Sequence, residues 1–143
     1  LRAFRVWRAR AVRLEMDGTR RDAQVTLCSI CNGRTAGGGM VLAPAASLFD
    51  GRLDVALLER MRLHDFLGRF RYLYGGLPLA DPRVSRLRVR RIRAEAVDGG
   101  GPVPITADGE DGGRLPVEIE VRPGALELLV PPGAGEPVRP GRS

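Results

Sequence analysis

The most informative segment of this chain is residues 32–40, with the sequence NGRTAGGGM, followed by Pro44, Ala46 and residues 50–55, DGRLDV. Three consecutive glycines are a costly choice, because glycine loses more backbone freedom on folding than any other residue. They indicate a tight turn, or a backbone that a neighbour or a ligand must approach closely. The segment is therefore predicted to be a loop with a specific conformation.

The sequence before this loop has the pattern of an antiparallel hairpin. Residues 4–16 alternate loosely and end at Asp17-Gly18, a strong signal for a two-residue turn. Residues 23–31 then form the second strand and lead into the glycine loop.

The sequence after the loop contains further short strands and one helix. Residues 53–58 and 103–107 are runs of strand length, and period-two alternation follows at Leu115, Val117, Ile119, Val121 and, after a Pro-Gly turn, at Leu126, Leu128 and Val130. Residues 63–74 instead have helical spacing, at Leu63, Phe66, Leu67, Phe70 and Leu73. Gly75-Gly76 and Pro78 end this helix.

Residues 84–96 are predicted to form one basic strand with an irregularity. Leu87 and Val89 share one face, whereas Ile92 and Ala94 fall on the opposite parity. One extra residue near Arg90 restores the apolar face, as a β-bulge does. The arginines of this strand are expected on its solvent face: Arg86, Arg88, Arg90, Arg91 and Arg93.

These patterns predict a mainly β fold, an antiparallel β-sandwich-like domain with one main helix. Strands with one polar face must pack the other face on something, and a second layer of sheet is the usual solution. A length of 143 residues, 43% hydrophobic and 28% charged, fits one globular domain. No apolar stretch approaches membrane-spanning length.

Cysteine usage and charge narrow the function classes. Cys28 and Cys31 form a lone Cys-x-x-Cys pair on a predicted strand. Because strand positions three apart face opposite sides of the sheet, a zinc site is not expected. The two thiols are predicted to be reduced and partly buried. The net charge is +6, and all 23 basic residues are arginine. Two explanations for the use of arginine without lysine stay open. One is a preference for G- and C-rich codons, and the other is recognition of phosphates or anionic lipid head groups.

The opening motifs resemble the Asn-Gly…Gly-Gly-Gly-Met…Pro…Ala…Asp-Gly-x-Leu-Asp-Val signature of the diacylglycerol kinase superfamily, which includes soluble bacterial lipid kinases and sphingosine kinases. Residues 107–110, ADGE, are similar to that family's Asp-Gly-Glu motif. The resemblance covers nearly the whole chain and ends at about Pro131. It implies that residues 1–130 are the C-terminal β-sandwich domain of a two-domain lipid kinase, with residues 131–143 a disordered tail.

The resemblance also implies a second domain outside this chain. The family's N-terminal domain carries a Gly-Gly-Asp-Gly-Thr-type nucleotide loop, and no such run occurs here. We therefore expect the nucleotide-binding domain to be missing from these residues. The 143 residues alone are expected to fold without showing lipid kinase activity.

For the catalytic residues, the resemblance implies Glu110 and Asp108. In the family, this glutamate takes the proton of the lipid hydroxyl, and the aspartate joins a magnesium and water network near the nucleotide; the two roles are exchangeable on sequence alone. Without the resemblance, Asp-Gly between two strands indicates only a hairpin turn.

For metal and substrate contacts, the resemblance implies two further groups. A structural Mg²⁺ site would use the side chain of Asp50 and the backbone carbonyls of Ser47 and Arg52, and the alternative is an ordinary turn in which Asp50 caps its own backbone. The family often has an acidic residue at the position of Ala45. Because alanine is uncharged, the local negative charge is lower in this chain. Substrate or interface contacts are expected at Asn32, Gly37, Gly38 and Gly39.

The expected function is therefore part of an ATP-dependent lipid kinase that transfers the γ-phosphoryl group to a hydroxyl of diacylglycerol or a related lipid. Its cofactors would be Mg²⁺ and ATP, with ATP bound mainly by the N-terminal domain. Its partners would be that domain and a lipid at a membrane surface, and a homodimer is left open. Its location would be cytoplasmic, or peripheral to the membrane. The alternative is a non-catalytic arginine-rich β domain that binds lipid or nucleic acid. Charge alone supports it, and no RNP-type motif or aromatic platform is present.

Overall fold

Alternating apolar side chains place most of the chain in antiparallel strands, and the computed structural model describes residues 8–74, 83–127 and 129. The predicted mainly β, antiparallel sandwich-like fold with one main helix is confirmed. The elements are β1 (Arg10–Met16), β2 (Thr19–Cys31), β3 (Thr35–Ala36), β4 (Met40–Val41), β5 (Leu53–Glu59), α1 (Leu63–Tyr74), β6 (Val84–Val89), β7 (Arg91–Ala96), β8 (Pro104–Ala107), β9 (Glu110–Arg114) and β10 (Val117–Glu120).

Six of the strands form one antiparallel sheet, in the order β10-β7-β1-β2-β5-β6. Its inner face carries a single core, in which the most deeply buried side chains are Leu14, Val55, Leu57 and Ile92. Val117 and Ile119 of β10 pack against the same core. Because strands from both ends of the order meet there, the sheet curls over on itself and its two halves pack face to face.

The hairpin between β1 and β2 is confirmed. Asp17 and Gly18 both have positive φ, 46° and 86°, as a type I′ turn requires. The Asp17 carboxylate accepts hydrogen bonds from the backbone N–H groups of Arg91 (2.9 Å) and Arg90 (3.0 Å). These bonds, the one from Arg91 above all, lower the pKa of Asp17 and join the turn to the β6–β7 junction.

The prediction of one bulged strand over residues 84–96 is wrong. The chain bends at Arg90 and divides into β6, which pairs with β5 at one edge of the sheet, and β7, which lies between β1 and β10. The Asp17 carboxylate stabilises the bend, because it accepts hydrogen bonds from the N–H groups of Arg90 and Arg91. The change of parity keeps Val89 and Ile92 in the core. Of the five arginines, Arg86 and Arg88 lie in β6, Arg91 and Arg93 lie in β7, and Arg90 lies at the bend.

The outer face of β2, β5 and β6 is covered by the helix and by the glycine hairpin, which consists of β3, the turn Gly37–Gly39 and β4. Leu58, Met61 and Phe66 form a second buried cluster, and Met40, Leu42 and Val84 pack against it. The helix has the predicted bounds, and Asp65 in its first turn lies where the helix dipole favours negative charge.

After β10 the predicted strand is not formed at Leu126 or Glu127. The Leu126 side chain is 82% exposed, because the described chain offers it no partner strand. Leu128, Val130 and the predicted tail, residues 131–143, lie outside the described residues.

The two cysteines are free and partly buried, as predicted. Burial raises the pKa of the Cys28 thiol to about 12. Burial and then the charge of Asp54 raise the pKa of Cys31. Both thiols are therefore neutral and unreactive near pH 7.

A clamp between Arg10 and Asp98 fixes the loop after β7. The Asp98 carboxylate accepts hydrogen bonds from Nη2 of Arg10 (2.6 Å) and from the N–H of Ala11 (2.9 Å), and Arg10 also donates to the Gly101 carbonyl (2.7 Å). The Arg10 guanidinium, followed by the Ala11 N–H, holds the pKa of Asp98 far below its usual range.

We expect this clamp to make the chain less stable in acid. A carboxyl group with a depressed folded pKa contributes its full stability above its unfolded pKa, about 3.9 for Asp, and loses it as the pH falls toward the folded value. Asp98→Asn should therefore lower the melting temperature at pH 7, and the deficit should shrink between about pH 5 and pH 2. Exposed Glu120, changed to Gln, is the control. A deficit that stays constant across this range would contradict the assignment.

Candidate functional site

The Asp-Gly-Glu motif forms the turn of the β8–β9 hairpin. Asp108 and Gly109 have φ of 49° and 93°, so they are the two central residues of a type I′ turn, and Ala107 pairs with Glu110 across it. Asp108 therefore lies at the tip, and Glu110 is the first residue of the returning strand. The local sequence alone explains this conformation, because Asp-Gly is a preferred pair for this turn.

The hairpin is held in shape by its base and by a bulge. The N–H of Leu115 donates to the Val103 carbonyl (3.0 Å) and closes the base. Farther up, the register shifts so that Gly112 and Gly113 lie opposite Ile105. A Cβ on Gly112 would come within 3.1 Å of Ile105 Cγ2 and 3.3 Å of the Ala107 nitrogen. A larger residue would therefore push these neighbours apart by a few tenths of an ångström, so glycine suits the bulge position.

Three carboxylates lie on this hairpin, and one of them has a structural partner. Asp111 accepts a hydrogen bond from the N–H of Gly113 (2.9 Å) and supports the bulge. For Asp108 and Glu110, both exposed, the described residues provide no hydrogen-bond or ion-pair partner. Two free carboxylates on a supported turn can accept a hydrogen bond from a hydroxyl, take its proton, or bind a hard cation.

The Asp50 loop, residues 42–52 between β4 and β5, shows the self-capping turn that was the alternative to a metal site. Asp50 Oδ1 accepts a hydrogen bond from the N–H of Arg52 (3.0 Å), and the N–H of Phe49 donates to Ser47 Oγ (3.3 Å). Gly51 has a φ of 65°, and a Cβ there would come within 3.1 Å of Pro123 Cγ. The segment after β10 therefore packs on this loop.

The charges around Asp50 do not fit a divalent cation in this arrangement. Asp50 Oδ2 accepts a hydrogen bond from Nη2 of Arg88, and Arg88 Nε lies 3.6 Å from Asp54 Oδ2. The guanidinium thus lies between the two carboxylates and neutralises the side chain on which the predicted Mg²⁺ site depends. In the described part of the chain, no three His, Cys, Asp or Glu side chains converge. The structural Mg²⁺ site at Ser47, Asp50 and Arg52 stays a prediction.

The glycine triplet is the turn of the β3–β4 hairpin. Gly37, Gly38 and Gly39 all have positive φ, 46°, 74° and 95°, which no other residue type adopts in succession. Arg34 connects this hairpin to the Asp50 loop, because its Nε donates to the Ala46 carbonyl (3.2 Å). Asn32 is exposed directly after β2.

The predicted site residues thus fall into two groups. The glycine hairpin and the Asp50 loop form one unit through Arg34, whereas Asp108 and Glu110 lie on a separate hairpin. No hydrogen bond or ion pair joins the two groups within residues 8–74 and 83–127.

An apolar pocket of about 260 Å³, not predicted from the sequence, lies between the outer face of the sheet and its cover. Its lining contains only two polar residues, Ser29 and Arg86, together with Leu27, Met40, Val41, Leu42, Ala56, Leu57, Leu58, Phe66 and Val84. The signal was the sequence of β5, LDVALLE, in which Leu57 and Leu58 are both buried although they face opposite sides of the sheet. A strand with two apolar faces indicates a layer on each side.

Comparison with known proteins agrees with this fold and these motifs. The "Probable lipid kinase YegS-like" protein of Pseudomonas putida is 33% identical over 141 residues, which cover 99% of this chain and 45% of that protein. The protein named "Diacylglycerol kinase" of Mycobacterium tuberculosis is 32% identical over 120 residues, which cover 83% of this chain and 38% of that protein. The chain therefore spans less than half the length of these relatives.

A solved structure shows the same fold. The crystal structure of a diacylglycerol kinase from Bacillus anthracis superposes with a TM-score of 0.63 over 85% of this chain and 42% of that one, at 19% identity. The model of one family, described as the YegS C-terminal NAD kinase beta sandwich-like domain, matches residues 1–130. On fold, motifs and sequence similarity together, this chain belongs to that family.

Proposed function

We propose that this domain is the lipid-accepting half of an ATP-dependent lipid kinase. The observation that carries the proposal is the pair of exposed carboxylates, Asp108 and Glu110, which lack an intramolecular partner on a rigid hairpin in a relative of lipid kinases. A catalytic base must be free to bind its substrate, and these two carboxylates meet that requirement, whereas Asp111 on the same hairpin is hydrogen-bonded to the N–H of Gly113.

In the proposed reaction, Glu110 accepts a hydrogen bond from the lipid hydroxyl and takes its proton as the hydroxyl oxygen bonds to the γ-phosphorus of ATP. The bond from that phosphorus to the β,γ-bridging oxygen breaks, and ADP leaves. Phosphoryl transfer requires mainly that the nucleophile is positioned and that phosphate charge is neutralised. Asp108, at the tip of the same turn, would hold the Mg²⁺ of MgATP or its water ligands, and the ion would supply charge neutralisation at the phosphates. The hairpin supports both roles because its turn and bulge fix the two carboxylates relative to each other.

The proposal requires a nucleotide-binding partner domain, since the chain matches under half of each relative's length. ATP would be bound mainly by that N-terminal domain. The exposed residues Asn32 and Gly37–Gly39 would lie at the interface with it or with the substrate. No described helix is long and apolar enough to cross a membrane. The lipid is proposed to be taken from a membrane surface on the cytoplasmic side, and a homodimer stays a prediction.

The apolar pocket is proposed to hold one end of an acyl chain. At about 260 Å³ it is smaller than typical sites for a whole drug-sized ligand, roughly 300–1,000 Å³. Its lining offers almost no polar group that a head group would need. The sheet face under α1 and the glycine hairpin would thus bind the lipid tail. The carboxylates of the β8–β9 hairpin, Asp108 and Glu110, would contact the lipid hydroxyl and the phosphate donor.

Filling this pocket should weaken lipid use. Ala56 lies in β5 and lines the pocket, so Ala56→Phe should occupy the space of the acyl chain. The loss of a few methylene contacts predicts a rise in KM for long-chain lipid of about 10- to 200-fold. The measurement is a kinetic assay of the complete enzyme, meaning this chain together with its nucleotide-binding domain, with long- and short-chain lipids compared.

The matched control for that variant is Val97→Phe, which adds the same ring at an exposed position outside the pocket. It should leave KM unchanged for every lipid. If Ala56→Phe also leaves the KM for long-chain lipid unchanged while it melts like the parent, the pocket does not hold the acyl chain.

The alternative function, nucleic-acid or lipid binding through arginine alone, rests on charge, and eight of the arginines already have a carboxylate partner in the described chain. These arginines are Arg10, Arg13, Arg20, Arg21, Arg83, Arg88, Arg91 and Arg93. Counterion release from nucleic acid requires free cations that can contact phosphates. The kinase proposal is therefore preferred.

A further inference from the structure

A three-residue charge cluster joins Asp50 of the loop to Asp54 of β5 and Arg88 of β6, and the proposed reaction does not use it. Arg88 lies between two carboxylates, donating from Nη2 to Asp50 Oδ2 and placing Nε 3.6 Å from Asp54 Oδ2. Asp50 has a further bond, because its Oδ1 accepts a hydrogen bond from the N–H of Arg52 (3.0 Å). One cation therefore compensates two anions at the start of β5.

The register of the sheet determines the position of this cation. Asp54 of β5 is directly opposite Arg88 of β6, so their side chains are a cross-strand pair on one face. Because the backbone ladder fixes the base of the Arg88 side chain, its guanidinium reaches the Asp50 loop without any rearrangement of the loop.

Asp54 shows why a cation is needed there. Its side chain is only 13% exposed, and its Oδ2 is buried with no hydrogen-bond partner. A buried carboxylate oxygen without a hydrogen bond is costly unless an opposite charge lies close to it. In the described chain, the cation that faces this atom is the guanidinium of Arg88.

We propose that Arg88 takes the position of a divalent cation in the Asp50 loop, so that the loop reaches its folded conformation without bound metal. A cation approaching Asp50 would be repelled by the guanidinium, and the backbone carbonyls of the loop add no net charge to offset this repulsion. When Arg88 is removed, Asp50 and Asp54 are left as two uncompensated carboxylates with oxygen ligands that Mg²⁺ prefers. The loop of that variant then depends on the ion.

The test compares melting temperatures of the 143-residue chain in EDTA and in excess MgCl₂. The parent should melt at the same temperature in both. Arg88→Gln should melt lower than the parent in EDTA and recover part of the loss in MgCl₂. The matched control is Arg86→Gln, which removes the same charge two residues away on β6 and should show no response to MgCl₂.

A second readout locates the ion directly. Mn²⁺, a paramagnetic substitute for Mg²⁺, should broaden the amide resonances of Gly51 and Arg52 in Arg88→Gln and leave them sharp in the parent. If Arg88→Gln does not fold, Arg88→Lys retains the charge without the planar fork. It should stay insensitive to MgCl₂.

Three results would overturn the proposal. They are stabilisation of the parent by MgCl₂ together with Mn²⁺ broadening at Gly51, an Arg88→Gln variant that melts like the parent and ignores MgCl₂, or an Arg88→Lys variant stabilised by MgCl₂. The first of these results would instead establish the structural Mg²⁺ site at Asp50.

Discussion

Replacing Glu110 by glutamine in the complete enzyme is expected to lower kcat by about 10²–10⁴, the usual loss when a general base is removed. Glutamine keeps the size of the side chain and can still accept a hydrogen bond, but it cannot take the proton of the lipid hydroxyl. Glu110 is exposed at the start of β9, so folding and ATP binding should be nearly unchanged. The measurement is steady-state kinetics with saturating MgATP and lipid, alongside thermal melting.

Two further variants make this result specific. Glu120→Gln removes the same charge from an exposed position outside the hairpin and should keep the parent kcat. Asp108→Asn should lower the rate and also shift the magnesium dependence, because its proposed role acts through the ion. If Glu110→Gln keeps a kcat near that of the parent, the Asp-Gly-Glu motif is only a hairpin turn.

Replacing Leu57 by alanine is expected to destabilise the chain by about 2–5 kcal/mol, the range for buried leucine truncations. Leu57 has 0% exposure and belongs to the core shared by both halves of the sheet. The removed methyl groups leave a cavity that the paired strands on either side of β5 cannot close. Urea unfolding should show a lower midpoint with an unchanged m-value.

Leu48→Ala is the control for that experiment. Its side chain is 61% exposed on the Asp50 loop, so its removal should change the free energy of unfolding by no more than about 0.5 kcal/mol. Equal losses for the two variants would mean that the core does not lie between the two halves of the sheet.

Local signals in the sequence were sufficient for much of this fold. Asp17-Gly18 needs only its own turn chemistry, and the helix over residues 63–74 needs only its apolar spacing and the glycines that follow. The parity change at Arg90 was also visible in the sequence. Its consequence depended on a carboxylate 73 residues away, so the division into β6 and β7 could not be predicted from residues 84–96.

The candidate site divides in the same way. Asp108 and Glu110 are neighbours in the sequence, and their turn follows from the Asp-Gly pair, so the carboxylate pair was predictable. Strand β9, EDGGR, was not, because its composition disfavours a strand and its pairing with β8 overrides that preference.

The Arg88 cluster had no local signal in the sequence, and the apolar pocket had only the two apolar faces of β5. The pocket combines side chains from three strands, the glycine hairpin and the helix. Arg88 approaches Asp50 and Asp54 only because β6 pairs with β5 in one register. Features of this kind depend on strand pairing, which the alternation of apolar residues restricts but does not determine.

The most direct test of the central claim is phosphoryl transfer from γ-³²P-labelled ATP to a bacterial lipid extract by the complete enzyme. Labelled products would be separated into organic and aqueous phases and then resolved by thin-layer chromatography. The account predicts label on a lipid in the organic phase with the parent, strongly reduced label with Glu110→Gln, and parent-level label with Glu120→Gln. A folded parent enzyme that leaves the lipid fraction unlabelled would contradict it.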